Sequence, residues 1–372
     1  MSNKIRIPVL VVTILMFLSV IGVAAITGSH IANFTPDIPN VPGETVIHYD
    51  EHNNPVVHVP KEDQNFNFLV MARDRIANLT DVILLINYNV SEGSITITQF
   101  PRDTYVSYGV ATSKINATYP TFYNQAVGNG SKQPELDAMR KFADVLEEAL
   151  CTKISYCAIM NINGFKDIVD TIGGVEVNVP GRLYYDDPEQ GLYIDLQPGY
   201  QTLDGDHAEM FVRYRYGLLT GDAGRQDMQK IFMSAFIKKV QTSIKDVGTL
   251  TKVAEAVIEN LVTDISVSEF VYFGKNLASV DLSNIKMISV PATWVSPHMV
   301  VSKQAMLDII NENYNLYDQP ISSSIFDKKK IFWNEYNEYY QGIYNSDNAE
   351  LGNDEYSAGD ILDGKLEIQF TH

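Results

Sequence analysis

Arginines and aspartates stand in short motifs along a chain that is otherwise strongly acidic. Phe100-Pro101-Arg102-Asp103-Thr104 directly follows a run that reads as a strand. Arg213-Tyr214-Arg215 also reads as a strand, whose period of two would place both guanidinium groups on one face. Asp222-Ala223-Gly224-Arg225 opens a helical pattern, and Gln229 lies one turn beyond Arg225 on the same face. A helix start offers free backbone N–H groups and the positive end of its dipole. A guanidinium fork beside it binds two phosphate oxygens at once. Taken singly, each arginine reads as a surface ion pair of small energetic weight. Together, R-x-R followed by D-x-x-R points to a phosphate cradle, because loops that merely turn have no use for so many long cations.

The carboxylates supply the complementary chemistry. Asp74 follows one apolar run in Met71-Ala72-Arg73-Asp74-Arg75, and Asp81 starts the next. Both fall where ligands of open α/β sheets bind, at one end of the strands. Two neighbouring carboxylates suit Mg²⁺ (or Mn²⁺), which takes few protein ligands and completes its shell with phosphate oxygens and water. Taken alone, either aspartate reads equally as a turn or cap residue. Asp103, beside Arg102, has the place of a residue that orients it. Other common catalytic motifs are missing: there is no G-x-S-x-G, no G-x-x-x-x-G-K-[ST] and no H-E-x-x-H. The 2 cysteines, Cys151 and Cys157, are too few for a zinc site; buried thiols and a C-x5-C pairing both remain open.

These residues need elements to hold them in place. Residues 67–72, 81–87 and 94–100 read as three strands, the second a continuous apolar run (DVILLIN) of the kind covered on both faces. The last two would pair as a hairpin across residues 89–93. Residues 134–150 have helical period, and 155–161 return to strand. A short helix over 164–171 ends at Gly173-Gly174, and 175–179 alternates as a strand. Helices come next over 224–244, 249–261 and 266–277, then a strand at 286–290 and a helix at 303–313. The alternation predicts an α/β fold: a central mixed sheet with helices on both faces.

Length and charge bound the rest. The chain has 372 residues, 45% of them hydrophobic, enough for a large core. A formal net charge of −18 argues against nucleic acid as a partner. Residues 7–26 carry no charge and are long enough to span a bilayer, with Lys4 and Arg6 before them. The positive-inside rule then keeps residues 1–28 as a cytoplasmic end with a membrane anchor and exports the remainder of the chain. Residues 29–61 read as an extracytoplasmic stalk, 62–315 as the functional domain, and 316–372 as a loosely ordered acidic extension.

The ordered set of motifs resembles the LytR-CpsA-Psr family over roughly residues 62–300. The matches are Phe68-Leu69-Val70 leading to Asp74, Thr80-Asp81, Pro101-Arg102-Asp103-Thr104, and Lys114-Ile115-Asn116. Next come Asp170-Thr171-Ile172-Gly173-Gly174, Leu203-Asp204-Gly205, Arg213-x-Arg215, and Asp222-x-x-Arg225-x-x-x-Gln229. The resemblance implies a phosphotransferase that moves a glycopolymer, such as teichoic acid or capsule, from a polyprenyl-pyrophosphate carrier to peptidoglycan. It implies that Asp74 and Asp81 hold Mg²⁺. Arg102, Arg213, Arg215 and Arg225 would bind the pyrophosphate and stabilise developing charge, with Lys114 and Gln229 as further phosphate ligands. Asp222 would orient these groups or take the proton of the attacking hydroxyl. The chain departs from the family pattern at Leu79 and Met228, each standing where an arginine is usual, and at Ala117-Thr118-Tyr119-Pro120. A polyprenyl-pyrophosphate hydrolase and a non-catalytic lipid-phosphate-binding wall protein are the alternatives.

Overall fold

The computed structural model describes residues 45–49, 52–61, 64–73, 79–108, 110, 112–188, 192–243, 261–327, 330–346 and 355–371. A hairpin of β1 (Val46–Tyr49) and β2 (Pro55–His58) comes first. Next are β3 (Asn65–Arg73), β4 (Thr80–Asn89), β5 (Ser94–Phe100), helices α1 (Thr118–Gly128) and α2 (Pro134–Leu150), and β6 (Tyr156–Asn161). Helix α3 (Ile162–Thr171) leads to β7 (Val175–Val179), β8 (Leu183–Asp187), β9 (Leu192–Leu196) and β10 (Gly199–Leu203). Helices α4 (Gly205–Arg213) and α5 (Asp222–Ser243) precede β11 (Leu261–Thr263), α6 (Val267–Leu277) and β12 (Ile285–Ser289). The chain continues through β13 (Ala292–Val295), β14 (His298–Val301), α7 (Lys303–Ile309), α8 (Ser323–Asp327), α9 (Glu338–Tyr344), β15 (Glu355–Ser357) and α10 (Ala358–Leu362).

Seven strands form one mixed sheet in the order β11-β6-β3-β4-β5-β12-β15. β3 is antiparallel to β4, and β4 to β5. β3 is parallel to β6, and β5 to β12. Four strands (β3, β5, β6 and β12) therefore run the same way and end at one edge. Every residue of β4 is buried, as a strand with both faces covered requires. Alternate side chains feed two separate cores. Phe66, Phe68, Val82, Leu84 and Ile86 pack with Phe165 of α3, Phe211 of α4, Phe232 and Phe236 of α5 and Phe273 of α6. Leu69, Met71, Ile83, Leu85 and Phe100 pack with Met139, Phe142 and Leu146 of α2 and with Met306 of α7. The expected α/β sheet with helices on both faces is what the chain forms.

Two motif stretches that look chemical turn out to be joints. Helix α3 ends at Gly173 and Gly174, both with positive φ. Asp170 accepts a hydrogen bond from the Gly205 N–H at 2.7 Å, and Asp204 caps α4 through the His207 N–H. Gly205 lies so close to the Lys166 backbone that a Cβ there would come within 2.6 Å of its oxygen. Asp170 and the Leu203-Asp204-Gly205 turn thus lock α3 against α4.

Several expectations need correction. Arg213 closes helix α4 and is not on a strand: Ala208, Phe211 and Val212 recur at helical spacing, and the Asp204 cap starts the helix. The segment read as a stalk contains the β1–β2 hairpin, and Lys61 N–H donates to Leu316 O at 2.9 Å. The described residues after 315 are not a loose extension. Leu316, Tyr317, Ile321, Phe326, Phe332, Tyr340 and Tyr344 are buried, and β15 pairs with β12. Just before them, the buried Tyr314 hydroxyl lies 2.8 Å from Leu85 O, 3.2 Å from Thr96 O and 2.7 Å from Thr98 Oγ1. Cys151 and Cys157 are buried thiols and do not form a disulfide with each other. Among the described residues no helix is long and apolar enough to cross a membrane. The run 7–26 and most of the helix expected over 249–261 lie outside the described residues.

Each large apolar side chain buried after residue 315 contributes roughly 1.5–3 kcal/mol, against a total stability of about 5–15 kcal/mol. A chain stopped at residue 315 is therefore expected to lose its cooperative thermal transition in calorimetry. An unchanged transition would show the segment to be dispensable.

Candidate functional site

The site lies at the edge where the four like-directed strands end. The β4–β5 hairpin brings Asp81, the second residue of β4, beside Arg102, which follows β5. An Arg102 Nη donates to Asp81 Oδ1 at 3.3 Å, and the Asp81 side chain is inaccessible to solvent. Arg102 sits in a tight turn: both the Thr104 N–H (2.9 Å) and Oγ1 (2.6 Å) donate to Pro101 O. The Lys114-Ile115-Asn116 segment braces this turn. Asn116 N–H donates to Arg102 O at 3.2 Å, and Lys114 Nζ pairs with Asp103 at 2.6 Å. Asp103 is thus hydrogen-bonded to Lys114, and its charge also favours the Arg102 cation.

Helix α5 enters from the other side. Asp222 is its first residue, and both its carboxylate oxygens engage Arg225, one at 2.9 Å from Nη2. Arg225 is only 2% exposed, and its Nε has no hydrogen-bond partner among the described residues. Gly224 keeps the helix start close to its own loop, since a Cβ would meet Thr220 Oγ1 at 2.7 Å. Further along, Ser289 Oγ donates to Gln226 at 3.1 Å, tying α5 to β12. Gln229 is fully buried and its Nε2 donates to Val212 O at 3.0 Å. Gln229 therefore fastens α5 to the end of α4 through its amide. Arg213 pairs with Glu209 one helical turn back. Arg215 donates to the Tyr216 hydroxyl at 3.0 Å and lies 4.9 Å from the centre of that ring. Tyr216 in turn stacks on Tyr185, ring centres 3.8 Å apart.

Electrostatics binds these groups into one unit. Burial lowers the Arg225 pKa to about 10; Asp222 and Asp81 oppose the shift, while Arg102 and Arg215 add to it. Burial also acts to lower Arg102, but Asp81, Asp222 and Asp103 outweigh it and hold that guanidinium above its usual value. Both arginines are therefore cations at neutral pH. With Asp103 and its partner Lys114 counted, four cations (Arg102, Lys114, Arg215, Arg225) face three carboxylates (Asp81, Asp103, Asp222), which leaves one positive charge in an acidic protein. Such a cluster attracts a compact, multiply charged anion, and phosphate oxygens match its forked donors.

The structure thus gathers Asp81, Arg102, Arg215, Asp222 and Arg225, with Asp103 and Lys114 bracing one flank and Gln229 the base. It directs Arg213 to Glu209. Asp74 lies outside the described residues. Tyr216 and Tyr185 escaped the sequence reading; the alternation Arg-Tyr-Arg-Tyr hinted at the first, and nothing local marks the second. Among the described residues, no group of three or more His, Cys, Asp or Glu side chains converges on a point. One buried aspartate beside the arginines, Asp81, suits Mg²⁺, which needs few protein oxygens when phosphate supplies others.

The LytR_cpsA_psr family model matches residues 42–329, and the chain belongs to that family. It is 26% identical over 226 residues to the polyisoprenyl-teichoic acid–peptidoglycan teichoic acid transferase TagV of Bacillus subtilis, covering 58% of this chain and 53% of that one. To the transferase TagU of Bacillus cereus it is 30% identical over 212 residues, covering 57% and 63%. The matched part of the chain therefore spans from about half to somewhat under two thirds of these relatives' length. The LytR-Csp2A-Psr enzyme from Actinomyces oris shares the fold, with TM-score 0.52, 20% identity, and coverage of 68% of this chain and 90% of that one.

Leu79 and Met228, where the family usually carries arginine, are both buried, in the two different cores. Met228 is 0% exposed and sits with Phe232 and Phe236. A cation there would be placed in an apolar core. Met228→Arg is therefore expected to destabilise the fold by about 3 kcal/mol or more, read by urea unfolding. A neutral or stabilising result would mean that the side chain reaches the phosphate site after all.

Proposed function

We propose that this chain transfers a glycopolymer from a polyprenyl-pyrophosphate carrier to peptidoglycan or another wall acceptor, acting outside the cell on a single membrane anchor at residues 7–26. The observation that carries the reading is the Arg102–Arg215–Arg225 cluster, held by Asp81 and Asp222 at the sheet edge. Curated relatives named for teichoic acid transfer to peptidoglycan support the substrate class. In this reaction an acceptor hydroxyl attacks the phosphorus that bears the glycan. The bond from that phosphorus to the bridging oxygen breaks, polyprenyl phosphate leaves, and the hydroxyl proton passes to water. The glycan ends on the acceptor through a phosphodiester. Arg102, Arg215 and Arg225 hold the two phosphoryl groups and offset the charge that gathers on the bridging oxygen. Asp222 keeps Arg225 aligned, and Asp81 keeps Arg102 aligned. Mg²⁺ on Asp81, with Asp74 as its second carboxylate, would neutralise further phosphate charge when bound.

The test uses the full chain in detergent with a polyprenyl-pyrophosphate-linked saccharide, with and without peptidoglycan fragments and with and without Mg²⁺. Transfer is expected, and Arg102→Ala should reduce it about 10²–10³-fold. Release of polyprenyl phosphate without transfer would instead mark a hydrolase. Arginine-dependent lipid binding with no release would mark a binding protein.

A further inference from the structure

The loop between Arg215 and Asp222 must fix both ends of the cationic cluster, yet it contains Gly217 and Gly221, both with positive φ. Its internal hydrogen bonds are few: Leu218 N–H to Arg215 O at 3.3 Å and Gly221 N–H to Leu218 O at 3.1 Å. Two more tie its end to α5, Ala223 N–H to Thr220 O at 3.2 Å and Arg225 N–H to Gly221 O at 3.1 Å, and a distant segment adds others. Leu219 N–H donates to Gln369 O at 2.9 Å, and Thr371 N–H donates to Gly217 O at 2.8 Å. Leu218 and Phe370 face each other as an antiparallel bridge between these bonds. The Phe370 ring fits against Gly181, where a Cβ would come within 2.8 Å of it.

This segment has firm footing at its other end. β15 joins the sheet on β12, and α10 lays Ala358 and Ile361 into the same core as α5. Gly364, with φ +81, ends α10, and Leu366, Ile368 and Phe370 continue along that core toward the loop. Tyr185 adds a second contact by stacking on Tyr216. The loop is thus held at two points, and one hold comes from residues beyond the 42–329 that the family model matches.

We infer that residues 366–371 form a strap that positions Arg215 and the start of α5 for diphosphate binding, so that this segment is part of the working site. The inference rests on the diphosphate reading of the cluster. Phe370 and Thr371 are positioning residues: they hold the loop and leave the ligand to the arginines. A pre-set loop spares the ligand the entropic cost of ordering it.

The test compares the full chain with Phe370→Ala and Thr371→Pro, the second of which removes one N–H and no core atom. Thr371→Ser, which keeps the N–H, and Gln369→Ala, which keeps the accepting carbonyl, are the conservative controls. Farnesyl diphosphate binding is followed by calorimetry, and exchange of the Leu219 amide by hydrogen–deuterium exchange. Both strap variants are expected to bind about tenfold more weakly and to exchange Leu219 faster; Thr371→Pro should do so with little change in melting temperature, whereas Phe370→Ala, which also loses apolar packing, melts lower; both controls should match the wild type. Faster exchange with unchanged affinity would overturn the inference, since the contact would then be structural only. Unchanged exchange would also overturn it. Failure of the parent reading looks different: the wild type itself would not bind, or Arg102→Ala would bind equally well. A positioning role for diphosphate would fall with it.

Discussion

Cations crowded at the end of a sheet repel one another, and the rest of the molecule is arranged around that constraint. Arg225 is almost completely buried, Arg102 nearly so, and Arg215 lies close enough to shift the first. Such a cluster persists only if carboxylates are fixed at hydrogen-bonding distance and the backbone around them cannot relax. Asp81 and Asp222 meet the first condition from two different elements, a strand start and a helix start. The second condition falls to the two cores. They fill both faces of the sheet with large side chains and hold β4, β5 and α5 in one register.

Many residues that look chemical in the motifs work as braces. Lys114 holds Asp103, Asn116 holds the Arg102 turn, Gln229 holds the end of α4, and Asp170 holds the Gly205 turn. Each joins two segments far apart in sequence through one buried or half-buried polar contact. This division of labour is physically reasonable: a fork of guanidinium groups binds phosphate well only if each is held to within a fraction of an ångström. Leu79 and Met228 show the converse. Where a family cation is absent, an apolar side chain fills core volume, and the remaining arginines stay in a well-packed wall.

Much was legible in the sequence because it is written at short range. Apolar runs and period-two alternation gave the three central strands, helical spacing gave α2, α5 and α6, and Gly173-Gly174 marked the end of α3. The hairpin that unites Asp81 with Arg102 follows from two adjacent strands and a short turn. Charge contrast singled out the arginines, since grouped cations are conspicuous in a chain of net charge −18.

Tertiary structure alone decided the rest. Alternation of Arg213 and Arg215 suggested a strand, but a cap on Asp204 and the apolar spacing of Phe211 and Val212 made it a helix end. That turned Arg213 toward Glu209 and set Arg215 on Tyr216. The polar composition after residue 316 concealed buried tyrosines and phenylalanines, each of which finds its partner only across the fold. Stacking of Tyr185 on Tyr216, and the bonds from Gln369 and Thr371 to the Arg215 loop, join residues that no local pattern relates. Residue types and short spacings determine which groups carry charge and which segments are strand or helix. Which charges meet, and what holds them together, depends on contacts whose geometry exists only once the sheet has closed.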